Sequence, residues 1–143
     1  MNMKLVNSEL TGKILGCAFS VYNDVGPFLD ERAYQIAMEY ALSDAGLEWE
    51  HQVPFPVYFR GRQVALGKAD LVVEDQVILE LKAADALHPK FEAQLIAYLA
   101  SSGKEVGFLL NFGHVGKLEF RRLILTADYR AKSRLNPCYP CNP

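Results

Sequence analysis

The stretch from Lys68 to Lys82, KADLVVEDQVILELK, decides the fold. Two apolar runs flank the polar trio Glu74, Asp75 and Gln76, and β-branched residues are prominent in both. That is the pattern of two strands joined by a tight turn. Three charges interrupt it: Asp70, Glu80 and Lys82. A half-buried strand loses free energy when it carries charge without partners.

Side chains alternate faces along a strand. Val77, Leu79 and Leu81 therefore share one face, and Ile78, Glu80 and Lys82 share the other. A three-residue loop over Glu74, Asp75 and Gln76 would pair Val73 with Val77 and set Asp70 opposite Glu80. Opposed carboxylates repel. A hard divalent cation such as Mg²⁺ or Mn²⁺ offsets that repulsion, with Lys82 in reach of the same centre. Two other readings stay open at this point. A two-residue loop places the acids on different faces, and Glu80 and Lys82 can simply pair on a solvated face.

Working outward, NSELTGKILGCAFSVYNDVG has helical spacing, with Ser8 as N-cap and Gly26-Pro27 as the break. A second helix is expected from about Leu29 to Ala45, stopped by Gly46. HQVPFPVYFRG reads as an edge strand turning at Gly61-Arg62 into QVALGKADLVVE. HPKFEAQLIAYLASSG reads as a helix with Pro89 in its first turn and Gly103 past its end. KEVGFLLNFG and KLEFRRLIL read as two further strands. The order α, α, β, β, β, α, β, β implies an α/β fold, a mixed sheet flanked by helices.

The chain has 143 residues, 50% of them hydrophobic and 22% charged, with a net charge of −2. This is a globular composition, and one domain is expected over 1–134. The charge balance argues against a protein held to polyanions by its bulk field alone, though not against a local basic patch. No run is long and apolar enough to span a membrane, and MNMKLVNSEL does not resemble a signal peptide, so the expected compartment is the cytoplasm. Cys138 and Cys141 have the spacing of half a zinc site, without a matching second half. Residues 135–143 are therefore expected to be a flexible Pro- and Cys-rich tail. None of His51, His88 and His114 is assigned to metal, and His88, beside Pro89, reads as a helix-start residue.

On the third helix Gln94 and Tyr98 lie one turn apart, beside an apolar stripe of Phe91, Leu95 and Leu99. Their position allows either an ordinary helix edge or the border of a charged pocket. Glu31 fits a first-turn glutamate favoured by the helix dipole.

Together these residues resemble a known family. Asp70 followed by Glu80-Leu81-Lys82 resembles the PD-(D/E)xK nuclease motif, with Ala69 where the leading proline stands. AQLIAY resembles the Gln-x-x-x-Tyr element that follows it. VGPFLDERAY resembles the signature of the GxxExxY proteins, a branch of that superfamily, although its first glycine falls at Phe28. The likeness runs from about Glu9 to Leu125.

The resemblance implies a restriction-endonuclease-like core, αβββαβ, with an extra N-terminal helix. It implies metal-assisted hydrolysis of phosphodiester bonds, and DNA is expected ahead of RNA as the substrate. Asp70, Glu80 and the Leu81 carbonyl would bind Mg²⁺ or Mn²⁺, with Glu31 reaching the metal directly or through water. Lys82 would position the water or stabilise developing charge, and Gln94 and Tyr98 would line the site. Arg60, Arg62, Lys68, Arg121 and Arg122 are weaker candidates for nucleic-acid contact, and restriction-like folds are often dimers, which allows a homodimer. A non-catalytic module that keeps the fold to bind nucleic acid or a protein partner is the alternative.

Overall fold

A computed structural model describes residues 8–126. The expected tail over 135–143, with Cys138 and Cys141, lies outside the described residues. Eight elements follow in the expected order: α1 (Ser8–Val25), α2 (Glu31–Asp44), β1 (Trp49–Phe59), β2 (Arg62–Val73), β3 (Val77–Lys82), α3 (Pro89–Ser102), β4 (Val106–Asn111) and β5 (Glu119–Ile124).

Local chemistry sets most boundaries. Helix α2 begins at Glu31, two residues later than expected, because Asp30 takes the N-cap and its side chain accepts a hydrogen bond from Ala33 N at 2.9 Å. Helix α3 starts with Pro89, and His88 Nδ1 accepts from Lys90 N at 3.1 Å. It ends on Gly103 with φ +78°, a left-handed cap that a side chain would strain. The β1–β2 turn centres on Arg60 and Gly61, both left-handed, one residue earlier than expected.

The five strands lie in the order β1-β2-β3-β4-β5. Only β3 and β4 run parallel, joined by the crossover through α3; the other neighbours are antiparallel. Strand β2 pairs with β3 through Val73–Val77, Val72–Ile78 and Leu71–Leu79. That is the register required by the three-residue loop, whose Glu74 and Asp75 are both left-handed.

Helices α1 and α2 cover one side of the sheet and α3 the other. Leu71, Val73, Val77, Leu79, Leu81, Phe108 and Leu110 pack with Ile14, Tyr34 and Met38. Ala69, Val72, Ile78 and Leu109 pack with Leu95, Tyr98 and Leu99. Tyr34 stacks on Phe112 at 4.6 Å and donates its hydroxyl hydrogen bond to Gly26 O, so it ties the α1–α2 loop to the core. No described helix is long and apolar enough to cross a membrane.

Candidate active site

The β2–β3 ladder stops at Leu71–Leu79, one residue short of the pair expected between Asp70 and Glu80. Carboxylates replace main-chain carbonyls beyond that point. Asp70 N donates to Glu80 Oε1 at 3.1 Å, and Leu81 N donates to Asp70 Oδ2 at 2.7 Å. Each acid thus accepts a backbone hydrogen bond from the opposite strand, which anchors both side chains where the strands part.

Strand β1 breaks at the same level. His51 pairs with Leu71 and Val53 with Ala69, while Gln52, opposite Asp70, is unpaired and has φ +49°. Across this break both strands change sides. Leu71 belongs to the core under α1 and α2, whereas Ala69, two residues away, belongs to the core under α3. Residues two apart on a regular strand share a face. The kink lifts Asp70 out of strict alternation and puts it at the boundary between the layers.

Glu80 is only 3% exposed, on the α3 side of β3. Burial, and then the neighbouring Asp70 charge, push its carboxyl up to about 8. Burial also raises Asp70, against the Leu81 hydrogen bond and the Lys82 charge, which lower it. Two acids held this close in a poorly hydrated place favour shared protonation or a bound cation. The donor set fits a hard divalent ion: two carboxylates, with the Leu81 carbonyl on the same strand. Among the described residues no group of three or more His, Cys, Asp or Glu side chains gathers closely enough to hold a metal.

The other expected residues surround this pair in different ways. Glu31, exposed at the start of α2, shares a cavity of about 270 Å³ with Arg32, Gln35, Gln52 and Asp70, and its charge contributes to raising Glu80. Lys82 shares the Glu80 side of β3, but its Nζ sits 4.5 Å from the centre of the Phe91 ring. Tyr98 is buried against Phe55, and its hydroxyl accepts from Gln94 Nε2 at 3.1 Å. Burial raises the Tyr98 phenol, and the Glu80 charge adds to it. Gly67 makes this packing possible, because a Cβ there would stand 2.4 Å from Tyr98 Cε1.

The basic candidates divide. Arg60 and Arg62 lie at the end of the β1–β2 hairpin, where Arg60 covers the Phe59 ring at 4.9 Å. Arg121 pairs with Leu109, which pairs with Glu80, so it lies in the Glu80 row roughly 10 Å away, two strand spacings. Its Nε is 3.9 Å from Glu92 Oε2. Arg122 pairs with Phe108 and faces the other side of the sheet. Arg121 and Arg122 therefore do not form one patch, a consequence of strand alternation.

Two polar residues escaped the sequence reading. Gln35, 8% exposed, and Gln52 link Asp70 to α2: Gln52 Nε2 donates to Gln35 Oε1 at 2.8 Å and lies 3.4 Å from Asp70 Oδ1. Neither is charged, so neither stood out. The one available signal was that Gln52 faces Asp70 across the hairpin, and a register shift between Val57 and Tyr58 conceals it from counting back from the turn.

A search of curated proteins returned no significant match. Among solved structures, the crystal structure of SSO0001 is similar, with a TM-score of 0.54 at 18% identity. The match covers 75% of this chain but 55% of that one, so this chain spans little more than half the length of that structure. It shows a shared fold, consistent with the restriction-endonuclease-like sheet. The family profile described as PD-(D/E)XK nuclease superfamily matches residues 8–123, from the first turn of α1 into β5 and across both broken strands. The acids at the fork thus lie within a match that runs most of the chain, which belongs to the PD-(D/E)XK nuclease superfamily.

Proposed function

We propose that this chain is a metal-dependent nuclease that hydrolyses phosphodiester bonds, of DNA rather than RNA, and that it belongs to the GxxExxY branch of its superfamily. The observation that carries this reading is the fork itself. Asp70 and Glu80 replace ladder carbonyls and are held together where burial disfavours their charge, with Lys82 on the Glu80 side of β3. A purely structural strand end has no use for that cost.

Asp70, Glu80 and the Leu81 carbonyl would hold Mg²⁺ or Mn²⁺, with Glu31 reaching it from α2 through water. The ion supplies Lewis-acid polarisation of a phosphoryl oxygen and a more acidic water. The Lys82 ammonium leaves the Phe91 ring to meet negative charge developing on the phosphoryl oxygens, or orients the attacking water. Tyr98 and Gln94 wall the site and exclude bulk water from the α3 side. Arg60, Arg62 and Lys68 on the hairpin, and Arg121 in the Glu80 row, supply phosphate contacts, which give affinity without sequence readout.

The test is incubation of the purified chain with labelled single- and double-stranded DNA and RNA, with Mg²⁺, Mn²⁺ or chelator. Lys82→Ala and Asp70→Ala are run beside it. Metal-dependent cleavage that both substitutions abolish supports the reading. No cleavage of any substrate, or equal cleavage by the variants, removes its basis.

A further inference from the structure

We infer that Gln52 is a positioning residue, whose carboxamide holds the Asp70 carboxylate in its ligand orientation from a backbone strained to put it there. This deepens the metal-site reading above and rests on it.

Four described non-glycine residues have positive φ: Gln52, Arg60, Glu74 and Asp75. Arg60, Glu74 and Asp75 form hairpin turns, where left-handed backbone is what the turn demands. Gln52 alone among them lies inside a strand, where nothing in the turn chemistry asks for it. Strained backbone persists only where the surroundings hold it, and it concentrates at functional sites.

The hydrogen-bond polarity around Gln52 follows from its partners. The Glu39 carboxylate, when ionised, only accepts, so the Gln35 amide nitrogen faces it at 3.1 Å. The Gln35 oxygen is then left for Gln52 Nε2, at 2.8 Å. One N–H of Gln52 is thereby committed to α2, and the same nitrogen lies 3.4 Å from Asp70 Oδ1. Leu81 N already occupies Asp70 Oδ2. The carboxylate is fixed from both oxygens, by β3 on one side and by α2 through Gln52 on the other. His51 Nδ1, 3.0 Å from Glu39 Oε2, steadies the far end of the chain of contacts.

The decisive variant is Gln52→Gly. Glycine accepts φ +49° without strain, so the backbone is relieved while the carboxamide is lost. The readout is hydrogen exchange of the Leu81 amide in metal-free protein, beside the melting temperature and Mn²⁺ affinity by calorimetry. Gln52→Gly is expected to melt close to the wild-type temperature, because the relieved backbone offsets the lost hydrogen bond to Gln35. Leu81 exchange should accelerate about tenfold while β3 and β4 amides away from the fork stay protected. Mn²⁺ affinity should weaken by about 10- to 100-fold, as for other residues that orient a ligand from behind. Unchanged Leu81 exchange in Gln52→Gly overturns the inference. So does equal acceleration across β3 and β4, which would make Gln52 a general stabilising residue. Because Leu81 exchange needs no metal, it decides the role of Gln52 even if Mn²⁺ fails to bind wild type, an outcome that would count against the metal-site reading instead.

Discussion

Leu81 N donates to Asp70 Oδ2 at 2.7 Å, where a regular antiparallel ladder would offer it a main-chain carbonyl. The acid that is proposed as a ligand is thus also the acceptor that closes the end of β3. Asp70→Asn keeps an acceptor oxygen for Leu81 and removes a charge that burial disfavours. Its amide nitrogen then faces the Gln52 donor, which offsets part of that gain, so stability should stay close to wild type while Mn²⁺ binding is lost. Urea denaturation and calorimetry on the same preparation check both halves. A variant that is less stable and still binds metal would contradict the assignment.

Glu80 gives a pH prediction. Its folded value, raised to about 8, lies above the 4.5 of the free group, so folding favours the protonated form. The associated stability is complete below about 4.5 and lost as pH rises through about 8, by an amount on the order of a few kcal/mol. Chelated protein should melt at a lower temperature at pH 8.5 than at pH 5.5. Glu80→Gln should flatten that slope, and Mn²⁺ should restore wild-type stability at the alkaline end. Equal slopes in both proteins would refute the role given to Glu80.

Lys82→Ala should leave Mn²⁺ affinity near the wild-type value and cut turnover by about 100-fold or more, as expected for a group that acts on developing charge. Single-turnover cleavage with saturating metal separates the two effects. Comparable losses in metal affinity and rate would instead place Lys82 in the structure of the ligand site.

Glycines supply a stability contrast. At Gly113 an added Cβ would meet main-chain atoms of Ala83 and Ala84 at 2.5 Å, in the loop that follows Lys82. The same loop is held by Asn111, whose Oδ1 accepts from Ala84 N and Gly113 N and whose Nδ2 donates to Ala84 O and Glu119 Oε1. Gly113→Ala should cost about 2–3 kcal/mol, since backbone has no rotamer with which to yield. Gly67→Ala should cost about 1–3 kcal/mol by displacing Tyr98. Gly12→Ala, with nothing within 4 Å on α1, should gain about 0.5–1 kcal/mol. Chemical denaturation of the three variants orders them.

The element order was legible because breakers stand between periodic segments: Gly26-Pro27, Gly46, Gly61 and Gly103 each sit at a boundary. The faces of β3 were legible from alternation alone. Asp70, Glu80 and Lys82 stood out because charge in an apolar strand is costly. Gln35 and Gln52 did not, since a neutral amide in a helix or an edge strand has many uses. The reversal of sides at Gln52 and Asp70 was also hidden, because it depends on a backbone angle that glutamine seldom adopts. Tyr34 shows the converse. Its place in a signature assigned it no role, and the structure uses it to fasten the α1–α2 loop.

Strand β2 leaves β3 at Asp70 and continues to Arg62 with β1 as its only strand partner among the described residues. The two acids therefore stand on different prongs, one on the main sheet and one at the root of a two-stranded ribbon. Their separation follows the angle at which the ribbon departs rather than the uniform spacing of a ladder. Phe55 against Tyr98 braces the ribbon on α3, and Gln52 tethers its root to α2. The ribbon that carries Arg60 and Arg62 at its tip therefore carries Asp70 at its root.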